Sequence, residues 1–251
     1  HILDGTIRHC KANVGGKMKI IGKDIGYQLD ELYKTISNRL EIELEKNLDL
    51  VSGELETFSN VLWQNETVLI QLHNGVPTHA LPHIFGVALI HVQQRLDLYP
   101  VVQKSDESDI ADGRLLRSAL RELVLSPAAD DRLKSLNLDT QWESEQRHQA
   151  LKNLLIDPDP EWSEENSPAF LFAALLYARA AIEHPLWEKL KPTFHDTLPL
   201  ASELGTQIED GVRSNGWNSP GSCLQSLLVA RELTNLEQIT RILDPRTGTL
   251  L

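Results

Sequence analysis

Cysteine is almost absent from this sequence of 251 residues, which contains only Cys10 and Cys223. The two cysteines lie far apart and no CxxC pair exists, so a disulfide scaffold and a thiolate zinc site are both disfavoured. A free cysteine of this kind is most often a buried structural residue. A chain with so few cysteines is expected in a reducing compartment, and we predict a cytoplasmic protein.

Long apolar runs are missing as well. The longest, Ala169–Ala178, spans about ten residues and is followed by Arg179, whereas a membrane-spanning helix needs roughly 18 or more. The first residues lack the basic and apolar regions of a secretory signal. We therefore expect no membrane partner.

Positive charge is scarce, with 24 Lys and Arg residues against 36 Asp and Glu, for a net charge of −12. Such a surface repels phosphate backbones, so nucleic acid is an unlikely partner and a cationic protein is a favoured one. Residues 1–23 are the exception, since they carry five basic residues against Asp4. We interpret them as a β-hairpin whose turn is Gly15-Gly16.

Hydrophobic periodicity predicts an α+β fold for residues 1–102. A helix is expected over Asp24–Asn38, with Asp24 as its N-cap. Alternation of leucine or isoleucine with acidic residues from Leu40 to Leu50 favours strands, with a continued helix as the competing reading. Further strands are predicted over Gly53–Trp63 and Thr67–Leu72, which together form an antiparallel β-meander with one acidic, solvated face.

The remainder of the chain is predicted to be helical. A helix from Pro82 to Leu98 is followed by a polar linker at residues 103–111 and by an all-helical domain at residues 112–251. Its expected segments are Arg114–Leu125, Gln141–Ile156, Ala169–Ile182 after a Ser167-Pro168 cap, Trp187–Lys191, Leu198–Arg213, a start at Ser219-Pro220, and Thr234–Leu243 with a Thr234/Glu237 capping box. Arg179 and Glu183, four residues apart, are predicted to form a partly buried ion pair.

Four of the nine histidines fall between Thr67 and Tyr99. His79 and His83 have the four-residue spacing that lets two imidazoles share a zinc ion, although Pro82 lies between them. The order of strand, short loop and histidine-bearing helix resembles the layout of minimal zinc metallopeptidases. That resemblance implies a zinc site at His73, His79 and His83, but the helix reads HIFGV where the family has HExxH.

A second group of candidates lies in the helical half. The adjacent pair His195-Asp196 resembles the ligands of helical metal-dependent phosphohydrolases. That resemblance would recruit His148 or His184, and Asp210, as further ligands. Ser222 lacks the G-x-S-x-G context of a nucleophile, and the neighbouring Ser-Pro pair explains its segment as a helix start.

An acidic row completes the candidates: Glu41, Glu43, Glu45, Asp49, Glu54 and Glu56. Its spacing does not match a calcium loop, and it would suit a cationic partner. We therefore expect a non-catalytic, acidic intracellular binding or regulatory module that acts through protein–protein contacts and needs no cofactor. The alternative is a zinc-dependent hydrolase with its site around His73, His79 and His83. The oligomeric state does not follow from the sequence.

Overall fold

The computed structural model describes residues 18–105, 110 and 112–251. The Gly15-Gly16 turn and the first strand of the predicted hairpin lie outside these residues, and in the described part of its second strand Lys19–Ile20 pairs with Lys23–Asp24. Two compact units are present, the first formed by residues 18–96 together with 129–142, and the second by residues 97–105, 110, 112–128 and 143–251. Strands and helices occur together, which confirms the predicted α+β class.

The first unit is built on a small sheet and two helices. Its elements are β1 (Lys19–Ile20), β2 (Lys23–Asp24), α1 (Asp30–Leu44), β3 (Asn47–Gly53), β4 (Ser59–Trp63), β5 (Thr67–His73) and α2 (Leu81–Leu96). Strands β1 and β2 form a separate hairpin, and the other three form a sheet in the order β3-β5-β4. Strand β5 alternates between buried and half-buried residues, as expected for a strand whose two faces have different surroundings.

The predicted antiparallel meander is wrong in one detail, because β3 runs parallel to β5 while β4 is antiparallel to it. The parallel register pairs Leu48 with Val68 and Leu50 with Ile70, and all four side chains are buried in one apolar cluster with α1 and α2. Burial of matching aliphatic residues therefore decides the strand order, which alternation alone does not reveal.

The strand predicted from Leu40 to Leu44 is also wrong, since α1 continues through these residues. Glutamate and leucine favour helix, and tertiary packing buries Leu40 in the helical register. The helix closes at Glu45, whose φ of 54° is left-handed. The backbone N–H of Glu45 donates to the carbonyl of Glu41, and that of Lys46 donates to the carbonyl of Leu40. Asp24 is not its N-cap; its carboxylate accepts from the backbone N–H of Gly26.

The second unit contains most of the helices. Its elements are β6 (Val101–Lys104), α3 (Gly113–Leu133, of which residues from 129 belong to the first unit), α4 (Gln141–Ile156, from residue 143), α5 (Pro168–Glu183), α6 (Trp187–Thr197), α7 (Pro199–Asn215), α8 (Pro220–Leu233), β7 (Thr240–Asp244) and β8 (Thr249–Leu250). Helix α4 has the predicted bounds, and α5 begins as predicted, with the Ser167 hydroxyl accepting from the Phe170 backbone N–H.

The helix predicted over Thr234–Leu243 is wrong, and the C-terminal half is not all-helical. Strand β7 pairs with β6 and β8 in an antiparallel sheet, and Thr240, Ile242 and Asp244 are its buried residues. A burial period of two residues is typical of a strand, and β6 is a neighbouring strand with which β7 pairs. Thr234 closes α8 instead, where its hydroxyl donates to the carbonyl of Ala230.

The domain limits at residues 102 and 112 stay predictions, although Gln103 and Lys104 of the expected linker belong to strand β6. Within the ranges that the structure describes, no helix combines the length and the hydropathy that crossing a bilayer requires.

Candidate functional site

The three histidines of the predicted zinc site lie in the first unit, and two of them have partners in the chain. His73 ends β5, and its Nδ1 accepts a hydrogen bond of 2.8 Å from the backbone N–H of Gly75. His83 is buried near the start of α2, where its Nε2 lies 3.4 Å from Oδ1 of Asp130. His79 is exposed in the turn before α2.

These contacts do not bring a metal-binding set together. Across residues 18–105, 110 and 112–251, no group of three or more His, Cys, Asp and Glu side chains is arranged to hold a metal ion. His91, the fourth histidine of the segment, contacts Gln94 Oε1 through its Nδ1 at 2.9 Å. The zinc set His73, His79 and His83 therefore stays a prediction from the sequence alone.

A dense group of five charged residues and one serine lies instead in the second unit. We call it the α4–α5 network: Glu122, Ser126, Glu143, Arg147, Arg179 and Glu183. Two of its pairs follow from helical spacing. Arg147 donates to Glu143 at 2.6 Å, and the predicted pair of Arg179 and Glu183 is confirmed at 2.6 Å. Arg147 also donates to Glu183, which joins the two helices.

The same network reaches helix α3. Arg179 Nη2 donates to the Ser126 hydroxyl at 3.1 Å, and that hydroxyl donates to Glu122 Oε2 at 2.8 Å. The arginines and carboxylates alternate, so each positive charge faces a negative one. Charges that are paired in this way orient the helices relative to one another, which is a structural role.

A histidine pair adjoins the network. His148 Nδ1 and His184 Nε2 are 3.2 Å apart, and the two rings stack with 5.4 Å between centroids and 23° between planes. His184 is buried. Burial, followed by the neighbouring His148 and Arg147, lowers the pKa of His184 to about 4, so its imidazole is neutral at pH 7. The sequence makes both of them candidate metal ligands, and in the structure each is the other's hydrogen-bond partner.

In the part of the chain that the structure describes, no metal-binding group of three or more side chains contains His195 or Asp196. His195 is exposed on α6, and its Nε2 lies 2.9 Å from the hydroxyl of the fully buried Tyr177. Thr206 donates to the same hydroxyl at 3.3 Å. These contacts give the hydroxyl of the buried Tyr177 hydrogen-bond partners at the surface end of an aromatic cluster.

The acidic row is divided between a helix and a sheet. Residues 41–45, which we call the acidic turn, form the last turn of α1 and its cap, and all five are exposed. Ile42 has 81% and Leu44 has 44% of its surface exposed. Asp49 is half-buried on β3, and Glu54 and Glu56 are exposed between β3 and β4.

The charges of the acidic turn are largely uncompensated. Arg39 donates to Glu43 at 2.7 Å. In the part of the chain that the structure describes, the carboxylates of Glu41 and Glu45 have no ion-pair partner. Lys46 donates to the backbone carbonyl of Gln64 at 2.6 Å, which ties the end of α1 to the β4–β5 turn. The strand interpretation missed this surface; the helix propensity of Glu and Leu was the signal for it.

No family model, no curated protein and no solved structure matches this chain. Its function therefore has to be inferred from its own residues.

Proposed function

We propose that this protein is a non-catalytic binding module, and that the acidic turn docks a cationic, partly apolar segment of a protein partner. The observation that carries the proposal is Ile42, a large aliphatic residue between two glutamates with 81% of its surface exposed. Fully burying such a side chain stabilises a complex by about 1.5–3 kcal/mol. A partner that covers Ile42 would gain this free energy.

The helix geometry places charge beside that side chain. Successive residues are rotated by about 100°, so Ile42 points roughly away from the buried Leu40. Glu41 lies in the last turn of α1 and Glu45 is the cap that follows this turn, so both carboxylates belong to the same end of the helix. A basic residue of the partner would face both carboxylates while an aliphatic neighbour covers Ile42.

The charge of the protein selects the class of partner. With a net charge of −12, the chain repels nucleic acid and attracts basic protein segments, and this attraction raises the rate of association. The tie between Lys46 and Gln64 holds the acidic turn in place. A surface that is already ordered loses little conformational entropy on binding.

The test is selection of a random peptide display library on the full chain. The variant Glu41→Lys/Glu45→Lys serves for counter-selection. We expect enriched peptides that are net positive and contain an aliphatic residue, and that bind the wild type roughly tenfold or more tightly than this variant. Ile42→Ser should weaken the same peptides severalfold.

The matched control is Glu164→Lys/Glu203→Lys, which changes net charge by the same amount at two exposed positions of the second unit. These peptides should bind the control as they bind the wild type. Enriched peptides without an excess of positive charge would overturn the proposal. Equal affinity of the peptides for the wild type and for Glu41→Lys/Glu45→Lys would overturn it as well.

A further inference from the structure

Helix α4 is attached to the second unit by little apolar surface. Its buried residues are Glu143, Leu151 and Leu155, whereas eight residues of α5 are buried. Elements with few buried apolar side chains open locally at low free-energy cost. The attachment of α4 therefore depends strongly on its polar contacts.

Two of the polar contacts between α4 and α5 lie at neighbouring positions. Arg147 bridges to Glu183, and His148 meets His184 one residue further along each helix. The Nδ1 of His184 is buried without a partner, so the contact with His148 is the hydrogen bond that this buried imidazole makes. An N–H···N bond of this kind needs a lone pair on one of the two rings.

We propose that the His148–His184 contact is a proton-operated latch, which holds α4 on α5 while one imidazole is neutral and releases α4 when both are protonated. This inference concerns the second unit and does not rest on the proposed function, which concerns the first.

A proton on His148 Nδ1 is compatible with the contact, because that N–H then donates to the neutral His184 Nε2 at 3.2 Å. A proton on His184 as well removes the accepting lone pair and places a positive charge in a buried ring. Burial and the charges of His148 and Arg147 lower the pKa of His184 to about 4, so release is confined to acidic pH.

The charged residues around the histidine pair also favour the release of α4 at acidic pH. Arg147 is held by Glu143 on α4 and Glu183 on α5, while Arg179 and Glu122 continue the network to α3. If acid protonates the carboxylates, the Arg147 bridge weakens and more of its positive charge is felt at His184. A test therefore has to separate the imidazoles from the carboxylates.

The experiment is hydrogen exchange of the full chain near pH 7.5 and near pH 4.5, with exchange times adjusted for the intrinsic rate. In the wild type, protection of α4 should fall roughly tenfold or more at acidic pH relative to α7 and α8. In His148→Gln/His184→Gln the fall should be less than about twofold, because glutamine does not titrate. His79→Gln, which removes an exposed imidazole, should behave as the wild type.

Three results would overturn the proposal. They are unchanged protection of α4 at acidic pH, loss of protection in α4 and α7 together, and an acidic loss in the double variant equal to that of the wild type. If the double variant fails to fold, NMR titration of the wild-type histidines decides. Coupled steps, with His184 titrating last, support the latch, and two independent steps near the ordinary value of 6.5 overturn it.

Discussion

Gly205 on α7 lies against Tyr177 on α5 so closely that a Cβ at residue 205 would be 2.6 Å from Tyr177 Cδ1 and 2.8 Å from its Cβ. The tyrosine cannot yield, because its ring packs edge-on against Trp187 and Phe194 at 4.8 and 5.3 Å and is fully buried. Glycine is therefore required at this crossing of two helices.

Gly205→Ala should lower the free energy of unfolding by about 2–3 kcal/mol, since overpacking outweighs the gain in helix propensity. Urea denaturation measures the change. Gly221→Ala is the control, because its nearest atom outside the helix start is the guanidinium Nη1 of Arg246 at 3.2 Å, a flexible group that can move. Equal effects of the two substitutions would contradict the steric explanation.

Leu98 adopts a left-handed backbone conformation, with φ of 59°, and 46% of the surface of the residue is exposed. The left-handed conformation destabilises a branched L-residue by roughly 1–2 kcal/mol, and asparagine tolerates this conformation better. Leu98→Asn should therefore raise the melting temperature by about 2–4 °C for a chain of this size. Leu200→Asn is the control, since Leu200 is 45% exposed but helical; it should give no increase.

Glu183 accepts hydrogen bonds from two arginines, Arg147 and Arg179, and its side chain is 9% exposed. Glu183→Gln removes the charge that compensates both and should lower the free energy of unfolding by about 2–4 kcal/mol. Glu209→Gln, which disrupts the pair with the 46%-exposed side chain of Arg213, should cost less than about 1 kcal/mol. A similar loss from both substitutions would refute a special role for Glu183.

The stability of the second unit should depend on pH through His184. The fold lowers the pKa of this group from its ordinary 6.5 to about 4, so the unfolded chain binds more protons than the folded one between these values. The contribution of His184 is therefore fully present above pH 6.5 and is lost as the pH falls toward 4. Urea denaturation across this range should give a steeper pH dependence for the wild type than for His184→Gln. Parallel slopes would show that other groups are responsible.

Local patterns account for the elements that were predicted correctly. The helix Pro168–Glu183 follows from a Ser-Pro start and a continuous apolar run, and the pair Arg179–Glu183 follows from i,i+4 spacing within one helix. These features depend on residues within a few positions of each other, so the chain specifies them before it folds.

The features that were missed depend on distant residues. His148 and His184 are 36 positions apart, and no spacing rule relates two residues on different helices. The local capping-box pattern of Thr234 and Glu237 predicts a helix, whereas β6, the partner of strand β7, lies more than a hundred residues earlier. Only tertiary pairing could select the strand.

The sequence by itself determined the α+β class, the acidic character and most of the helices, because composition and periodicity are properties of the chain. The tertiary structure decided the order β3-β5-β4, the continuation of α1 into an exposed acidic turn and the contact of two histidines. Each of these depends on which apolar faces are buried together, and that burial outweighs local preference wherever the two compete.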